Sequence, residues 1–359
     1  MRLRFLSNKI PWFGKYSGYE CLPNYFHKKT AYEIISSKNN KIEKIIGKIY
    51  QIKNGWYGIR PEEISSGMRF YRKIDENSIS HILYLENHIH LLERDLKASK
   101  LLATIHLPIR QWKTDNLRLL SKLQNAILLY KEELQEFSEY INIDNLHVLK
   151  HGVDTDFFAP ATANKVNKNK MLFVGHYLRN FDMFYKVYNQ IHNNISSSLE
   201  YHFIIPGGFR THPVLQKLTG YKNFFFHQNL SDDELLAHYQ SSYLLLMPMN
   251  DSGANTAIVQ ALSTGLPILT TDVGGIRSYG GSNVFPIVKQ NDHISMAELF
   301  NKYYHSEDYR NEIAVKQREF SLNYLGWESS ANDHIDLYNK IFAKGIALNL
   351  LFLINCFIQ

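Results

Sequence analysis

Short apolar runs alternate with longer amphipathic stretches along the whole chain. In the first half, Leu3–Leu6, Ile82–Leu85, Leu102–Ile105, Ala126–Leu129 and Leu146–Leu149 are apolar and bounded by polar residues, the pattern of strands buried on both faces. The second half repeats it with Met171–Val174, His202–Ile205, Asn223–Phe226, Tyr243–Met247 and Ile268–Thr270, separated by helical stretches such as Asp232–Gln240 and Thr256–Ser263. Such alternation predicts an α/β chain with parallel sheets wrapped by helices, not a sandwich or a bundle. Pro160–Lys170 is polar and lacks apolar periodicity, so it reads as a linker between two domains. The length agrees, since 359 residues exceed the size at which one core stops growing, roughly 250–300 residues.

Helix ends can be placed by chemistry. Ser231 precedes Asp232, Asp233 and Glu234 and is an N-cap ahead of Leu235, Leu236 and Tyr239. Ser252 or Asn255 caps the next helix, which stops at Gly265-Leu-Pro267. Between Pro248 and that helix lies Ser252-Gly-Ala-Asn-Thr256. A loop of small residues that follows a parallel strand and opens a helix points free backbone N–H groups into the crevice at the carboxyl edge of the sheet, where a phosphate can sit.

Composition changes the picture little: 45% apolar, 13% aromatic and 21% charged residues describe a globular protein. Cys21 and Cys356 lie at opposite ends and form neither a disulfide framework nor a metal-spaced cluster, which fits a reducing cytoplasm. The first residues read as a strand and not as a secretory signal, and Gly345–Ile358 is too short to span a bilayer.

Charge is more informative. Residues 1–150 carry 24 Lys and Arg against 16 Asp and Glu, a net +8, and residues 151–359 carry 16 against 18, a net −2. Most of the excess precedes residue 50, from Lys28-Lys29 through Lys38, Lys41, Lys44 and Lys48. Across Lys38–Lys53 the lysines alternate with Ile42, Ile45, Ile46 and Ile49, setting an apolar stripe beside a cationic one on a helix. The stripe is expected to pack on the sheet of its own domain, while the cations face solvent, an anionic membrane surface or an acidic acceptor. No aromatic-basic interleaving accompanies the charge, so nucleic acid is excluded as a partner.

Residues 243–275, from Tyr243-Leu-Leu-Leu-Met-Pro-Met to Asp272-Val-Gly-Gly275, resemble the donor-site signature of the group 1, or family 4, retaining glycosyltransferases. His151-Gly-Val-Asp-Thr-Asp-Phe-Phe158, Leu172-Phe-Val-Gly175 and Thr104-Ile-His-Leu-Pro108 resemble further segments of that family. The resemblance implies a GT-B fold of two Rossmann-like domains facing each other across a cleft: an acceptor domain at 1–160, a donor domain at 161–330, and a final helix at 331–359 that packs back on the first. It implies transfer of a sugar from a nucleotide-diphosphate donor to a glycan, lipid-linked or small-molecule acceptor, without cofactor or metal. Asp154-Thr-Asp156 does not read as a metal clamp, and His81, His88 and His90 lack a convincing partner set for zinc.

By the same resemblance, His106 faces the donor sugar. Gly14, Gly18, Asp251, Ser252, Gly253, Ala254, Asn255, Thr256 and Gln260 hold the donor, and Glu86 is an acceptor-side candidate. Two departures stand out. Ser252 and Gln260 occupy places where the family commonly carries two glutamates, with Asp251 as a substitute for the first. After Gly175, His176 and Phe181 stand where an arginine and a lysine are usual, which makes Arg179 the candidate cation for the leaving diphosphate. Ser252 and Gln260 also keep open a catalytically silent sugar-nucleotide-binding protein, with a nucleotide-sugar epimerase as a further alternative.

Overall fold

Two six-stranded parallel sheets organise the computed structural model, which describes residues 2–358 except 9, 11–12, 27–29, 97–99 and 163–164, with side chains described as far as Lys344. Lys28 and Lys29, in the basic stretch, therefore lie outside the described residues, as do the side chains of the apolar tail. The sheets belong to two units. Residues 1–11, 19–149 and 328–359 form unit 1; residues 12–18 and 150–327 form unit 2.

In unit 1, β1 (Arg2–Ser7), β2 (Tyr32–Ser36), β3 (Ser78–Ile82), β4 (Leu101–Ile105), β5 (Ala126–Leu128) and β6 (Leu146–Val148) lie in the order β2-β1-β3-β4-β5-β6. The apolar run at Ile82–Leu85 is a strand only to Ile82. Leu83 N–H still donates to Leu6 O at 2.9 Å, and the chain then turns into the short helix Leu85–His88. β2 has one buried residue, Ile35, too little apolar content to register as a buried run.

Helix α1 (Lys41–Asn54) overturns one expectation. Its buried residues are Glu43, Gly47 and Gln51, while Ile42, Ile45, Ile49 and Ile52 are each at least 60% exposed. The isoleucine stripe faces away from its own unit. Close packing on α2 (Pro61–Tyr71) is the cause, because a side chain at Gly47 would lie 1.7 Å from Pro61 O. The flanking polar groups find partners there: Glu43 is ion-paired with Arg69 at 3.2 Å, and Gln51 Nε2 donates to Ile59 O at 2.8 Å.

Unit 2 contains β7 (Asn167–Val174), β8 (Glu200–Ile204), β9 (Phe224–His227), β10 (Ser242–Met247), β11 (Ile268–Thr271) and β12 (Ile287–Val288), ordered β12-β11-β10-β7-β8-β9. β7 begins inside the stretch read as a linker, and the unit itself begins at Lys150. Its helices include α3 (Phe181–Asn194), α4 (Asp232–Ser241) and α5 (Thr256–Thr264). Ser231 caps α4 in a reciprocal capping box with Glu234, and Asn255 caps α5. The order reverses between β7 and β10, so the loops after these two strands diverge and open a crevice at their carboxyl ends.

The C-terminal helix α6 (Trp327–Ile358) is counted with unit 1 from Glu328. It is fixed there by buried polar contacts: Tyr19 Oη lies 2.7 Å from His334 Nε2, and Tyr338 Oη 2.8 Å from His81 Nδ1. His81 Nε2 is a further 2.8 Å from Thr104 Oγ1, so this histidine belongs to the core. No helix among the described residues is long and apolar enough to cross a membrane.

Burial pulls His334 down to about 4, whereas an unfolded histidine titrates near 6.5. The unfolded chain thus gains the proton first as pH falls. Stability is complete above about pH 6.5 and is lost progressively down to about pH 4, by about 3 kcal/mol for this residue. Urea unfolding should show midpoints falling across that window. His334→Gln should begin less stable at pH 7 and decline less steeply; equal slopes would detach His334 from the effect.

Candidate active site

The crevice between β7 and β10 gathers most of the residues singled out in the sequence. After β7 the chain turns through Gly175, with φ +84°, and Leu178, with φ +59°. The latter is an uncommon conformation for a bulky residue and marks a backbone held by its surroundings. Arg179 follows and bridges to Met249, just beyond β10. Its guanidinium lies over Gly175, where a side chain would come within 2.9 Å of Nη2. Gly175 therefore supplies both the positive φ and the space.

Arg179 is held by neutral acceptors. Nε donates to Val174 O at 3.0 Å, Nη1 to Tyr177 O at 3.0 Å, and Nη2 to Asn255 Oδ1 at 3.3 Å. Among the described residues no carboxylate pairs with it. Burial lowers it to about 10, so it remains a cation near neutral pH. A desolvated guanidinium without a counter-charge favours an incoming anion.

Asn255 ties this cation to the start of α5. Its Oδ1 also accepts from Ala257 N–H at 3.1 Å, and its Nδ2 donates to Met249 Sδ at 3.3 Å. The N–H groups of Gly253, Ala254 and Asn255 donate to no group among the described residues, and Thr256 opens the helix behind them. Unpaired amides at a helix N-terminus beside a cation form an anion site.

Ser252 faces the protein. It is buried, its Oγ donates to Gly253 O at 3.0 Å, its N–H donates to Asp251 Oδ1 at 2.8 Å, and its carbonyl accepts from Gly275 N–H at 2.7 Å. Its hydroxyl shapes the loop, with the Asp251 carboxylate alongside.

The glycine-containing segment after β1 is part of unit 2. Gly14 lies against the Asp232 carboxylate, which accepts from Lys15 N–H at 2.7 Å, and Tyr16 stacks on Phe157 at 3.9 Å. Gly18 turns with φ +91°. Gln260, buried in α5, donates through Nε2 to Ser17 Oγ at 2.9 Å. In this structure its amide N–H is committed to that segment. Asp232 is the site residue that sequence reasoning missed, since it read only as an acidic residue in the first turn of α4.

His106 and Glu86 sit in unit 1. His106 follows β4; its ring stacks on Tyr84 with centroids 4.4 Å apart and meets Tyr19 edge-on at 5.0 Å. Nε2 lies 2.8 Å from Leu83 O and so donates to it, and burial lowers the ring to about 4, leaving it neutral. Glu86 accepts from the backbone N–H groups of His106 and Leu107. Its carboxyl is nevertheless raised to about 7 by burial, and it fixes the loop that carries His106.

Comparison with known proteins bears on the fold and on one stretch of the chain. A Bacillus subtilis (strain 168) protein named as a teichuronic acid biosynthesis glycosyltransferase is 30% identical over 71 residues, 20% of this chain and 18% of the relative. The match thus spans less than a fifth of that relative's length. Among solved structures, α,α-trehalose 6-phosphate synthase from Burkholderia multivorans has a TM-score of 0.75 at 10% identity, covering 97% of this chain and 98% of the other. Anabaena HepE in complex with UDP and glucose has a TM-score of 0.66 at 11% identity, covering 94% and 99%. At these identities the likeness is one of fold, the GT-B type. The family model for glycosyl transferases group 1 matches residues 154–320, a stretch that holds β7, Arg179 and the capped start of α5, and over these residues the chain is similar to the group 1 glycosyltransferases.

Proposed function

We propose that this chain transfers a sugar from a nucleotide-diphosphate donor to a hydroxyl acceptor, with retention of configuration and without a metal ion. One observation carries the reading: the half-buried Arg179 guanidinium, unpaired with any carboxylate among the described residues, stands beside the unpaired N–H groups of Gly253, Ala254 and Asn255. This site fits a diphosphate. In the transfer, the bond from the sugar's anomeric carbon to the phosphate oxygen breaks, and the electron pair leaves with the nucleotide diphosphate. The acceptor oxygen bonds to that carbon, and its proton passes to the departing phosphate oxygen. The protein's part is to position the reactants and stabilise the charge that develops on the leaving group. Retention rests on the family resemblance, and HepE, seen with UDP and glucose, favours a uridine donor.

Gln260 and the Gly14–Gly18 segment are assigned to the nucleoside side, where the Gln260–Ser17 hydrogen bond fixes their spacing. His106 is assigned to the sugar as a neutral group, held in place by Glu86. A silent binding protein is the rival favoured by Ser252 and Gln260 turning inward.

Incubation with a panel of nucleotide sugars separates the two by release of free nucleotide. The wild type should release nucleotide from one donor, and Arg179→Ala should lower that turnover by on the order of 100-fold with little change in donor affinity. Saturable binding without release would overturn the enzymatic reading, and a fully active Arg179→Ala would remove this residue from the mechanism.

The acceptor is proposed to be lipid-linked, with the enzyme peripheral on the cytoplasmic face of a membrane. Support comes from α1, whose outward face combines exposed Ile42, Ile45, Ile46, Ile49 and Ile52 with exposed Lys41, Lys44, Lys48 and Lys53. Such a face suits the boundary of an anionic bilayer, where each lysine contributes about 1 kcal/mol. The protein should sediment with anionic vesicles and not with neutral ones, salt should weaken the binding, and Ile45→Ser with Ile49→Ser should abolish it. Equal binding to both vesicle types, or binding by the double variant, would assign the face to another role.

A further inference from the structure

Three histidines converge at the edge of the unit 2 sheet, away from the crevice between β7 and β10. His202 on β8 and His227 at the end of β9 are diagonal neighbours on one face, since His202 is in register with Phe225 and Ile204 with His227. Their rings are parallel within 3°, with Nδ1 of His202 only 3.0 Å from Nε2 of His227. His238, in the last turn of α4, lies over them with its ring centroid 4.3 Å from that of His227 and 5.6 Å from that of His202. One ring nitrogen from each of the three lies within 4.8 Å of the others.

The polar bookkeeping of this cluster is incomplete. His202 Nε2 and His238 Nδ1 are buried and make no hydrogen bond, although Glu200 Oε2 stands 3.6 Å from the former. Buried polar groups are normally paired. A cavity of about 290 Å³ adjoins the cluster, bordered by His227, His238, Glu234, Lys170 and Ser241, so a bound ion and its water have room. Burial together with the Lys170 ammonium keeps all three rings neutral, and neutral imidazole is the ligating form.

We propose that His202, His227 and His238 bind one borderline divalent transition-metal ion, of the Zn²⁺ class, through three imidazole nitrogens with the fourth position open to the adjoining cavity. Two nitrogens at 2.0–2.1 Å from a tetrahedral ion lie about 3.3 Å apart, and the His202–His227 pair already stands at 3.0 Å. The hydrogen bond between them is exchanged for two metal bonds, and a rotation of His238 brings in the third ligand. The ion would pin the last turn of α4 to strands β8 and β9. The charged groups facing the cluster are Lys170, whose Nζ donates to Ser241 Oγ at 2.7 Å, Glu200 and Glu234. Lys170 opposes the ion and sets a ceiling on its affinity.

The test uses the full chain, stripped with chelator and titrated with Zn²⁺ in a calorimeter, with thermal unfolding followed in parallel. One ion should bind per chain and raise the Tm. His238→Ala should weaken binding at least tenfold, and Lys170→Gln should tighten it. Co²⁺ in the wild-type protein supplies a readout that needs no variant: three imidazoles and a water in tetrahedral array give intense visible absorption. Absence of stoichiometric Zn²⁺ binding, a weak octahedral Co²⁺ spectrum, or unchanged affinity in a folded His238→Ala would overturn the proposal. None of these measurements depends on glycosyl transfer.

Discussion

The reversal of strand order between β7 and β10 is the constraint on which the candidate site depends. Because the chain leaves these neighbouring strands in opposite directions, their loops cannot cover the sheet edge, and whatever they carry is held at the rim of one crevice. Arg179 comes from one loop and the capped start of α5 from the other, and Asn255 joins them by accepting from the guanidinium and from Ala257 N–H. The arrangement is unbalanced in charge, a cation beside the positive end of a helix, and only an anionic ligand relieves it. Stability is given up locally in exchange for a preformed anion site, proposed above to take the diphosphate, and the left-handed backbone at Leu178 belongs to the same local strain.

Most strands were legible because parallel strands covered on both faces must be apolar throughout, which is a strong local signal. The failures have identifiable causes. Ile82–Leu85 is as apolar as a strand, but the residues beyond Ile82 are buried in a turn and a short helix, and apolarity reports burial without reporting backbone shape. β12 has only two residues, too few for any period to show. In α1 the sequence carries an unmistakable stripe, yet the stripe faces outward. Periodicity establishes that a helix has two faces; which one is buried was decided by Gly47, the only position that lets α1 approach Pro61 so closely.

The site was legible in the part proposed to face the phosphates and opaque elsewhere, for a reason of distance along the chain. Ser252–Thr256 could be read because the strand, the loop and the helix cap are contiguous. The contacts that build the rest span 217 residues between Lys15 and Asp232 and 243 between Ser17 and Gln260, and no local pattern announces them. The family resemblance supplied the positions but not their present occupation: Ser252 and Gln260 are both engaged with protein groups. Hydrogen bonds so engaged must be exchanged when a ligand arrives, which makes them modest net contributors to binding. Arg179 exchanges only bonds to neutral acceptors, and among the described residues it has no carboxylate partner to give up.

Helix α4 connects these observations. Its first turn offers Asp232 to Lys15 N–H and so anchors the segment from Gly14 to Gly18, while its last turn places His238 against His202 and His227. It spans ten residues, about 15 Å at 1.5 Å per residue, and a helix this short moves as a rigid body. Its hold on the sheet is weak by composition: Tyr239 is its one buried residue, and the histidine nitrogens beneath its last turn are partly unpaired. The glycine segment is therefore tied to this lightly held helix through Asp232, and to the rest of the unit through the Tyr16–Phe157 stack and the Ser17–Gln260 hydrogen bond.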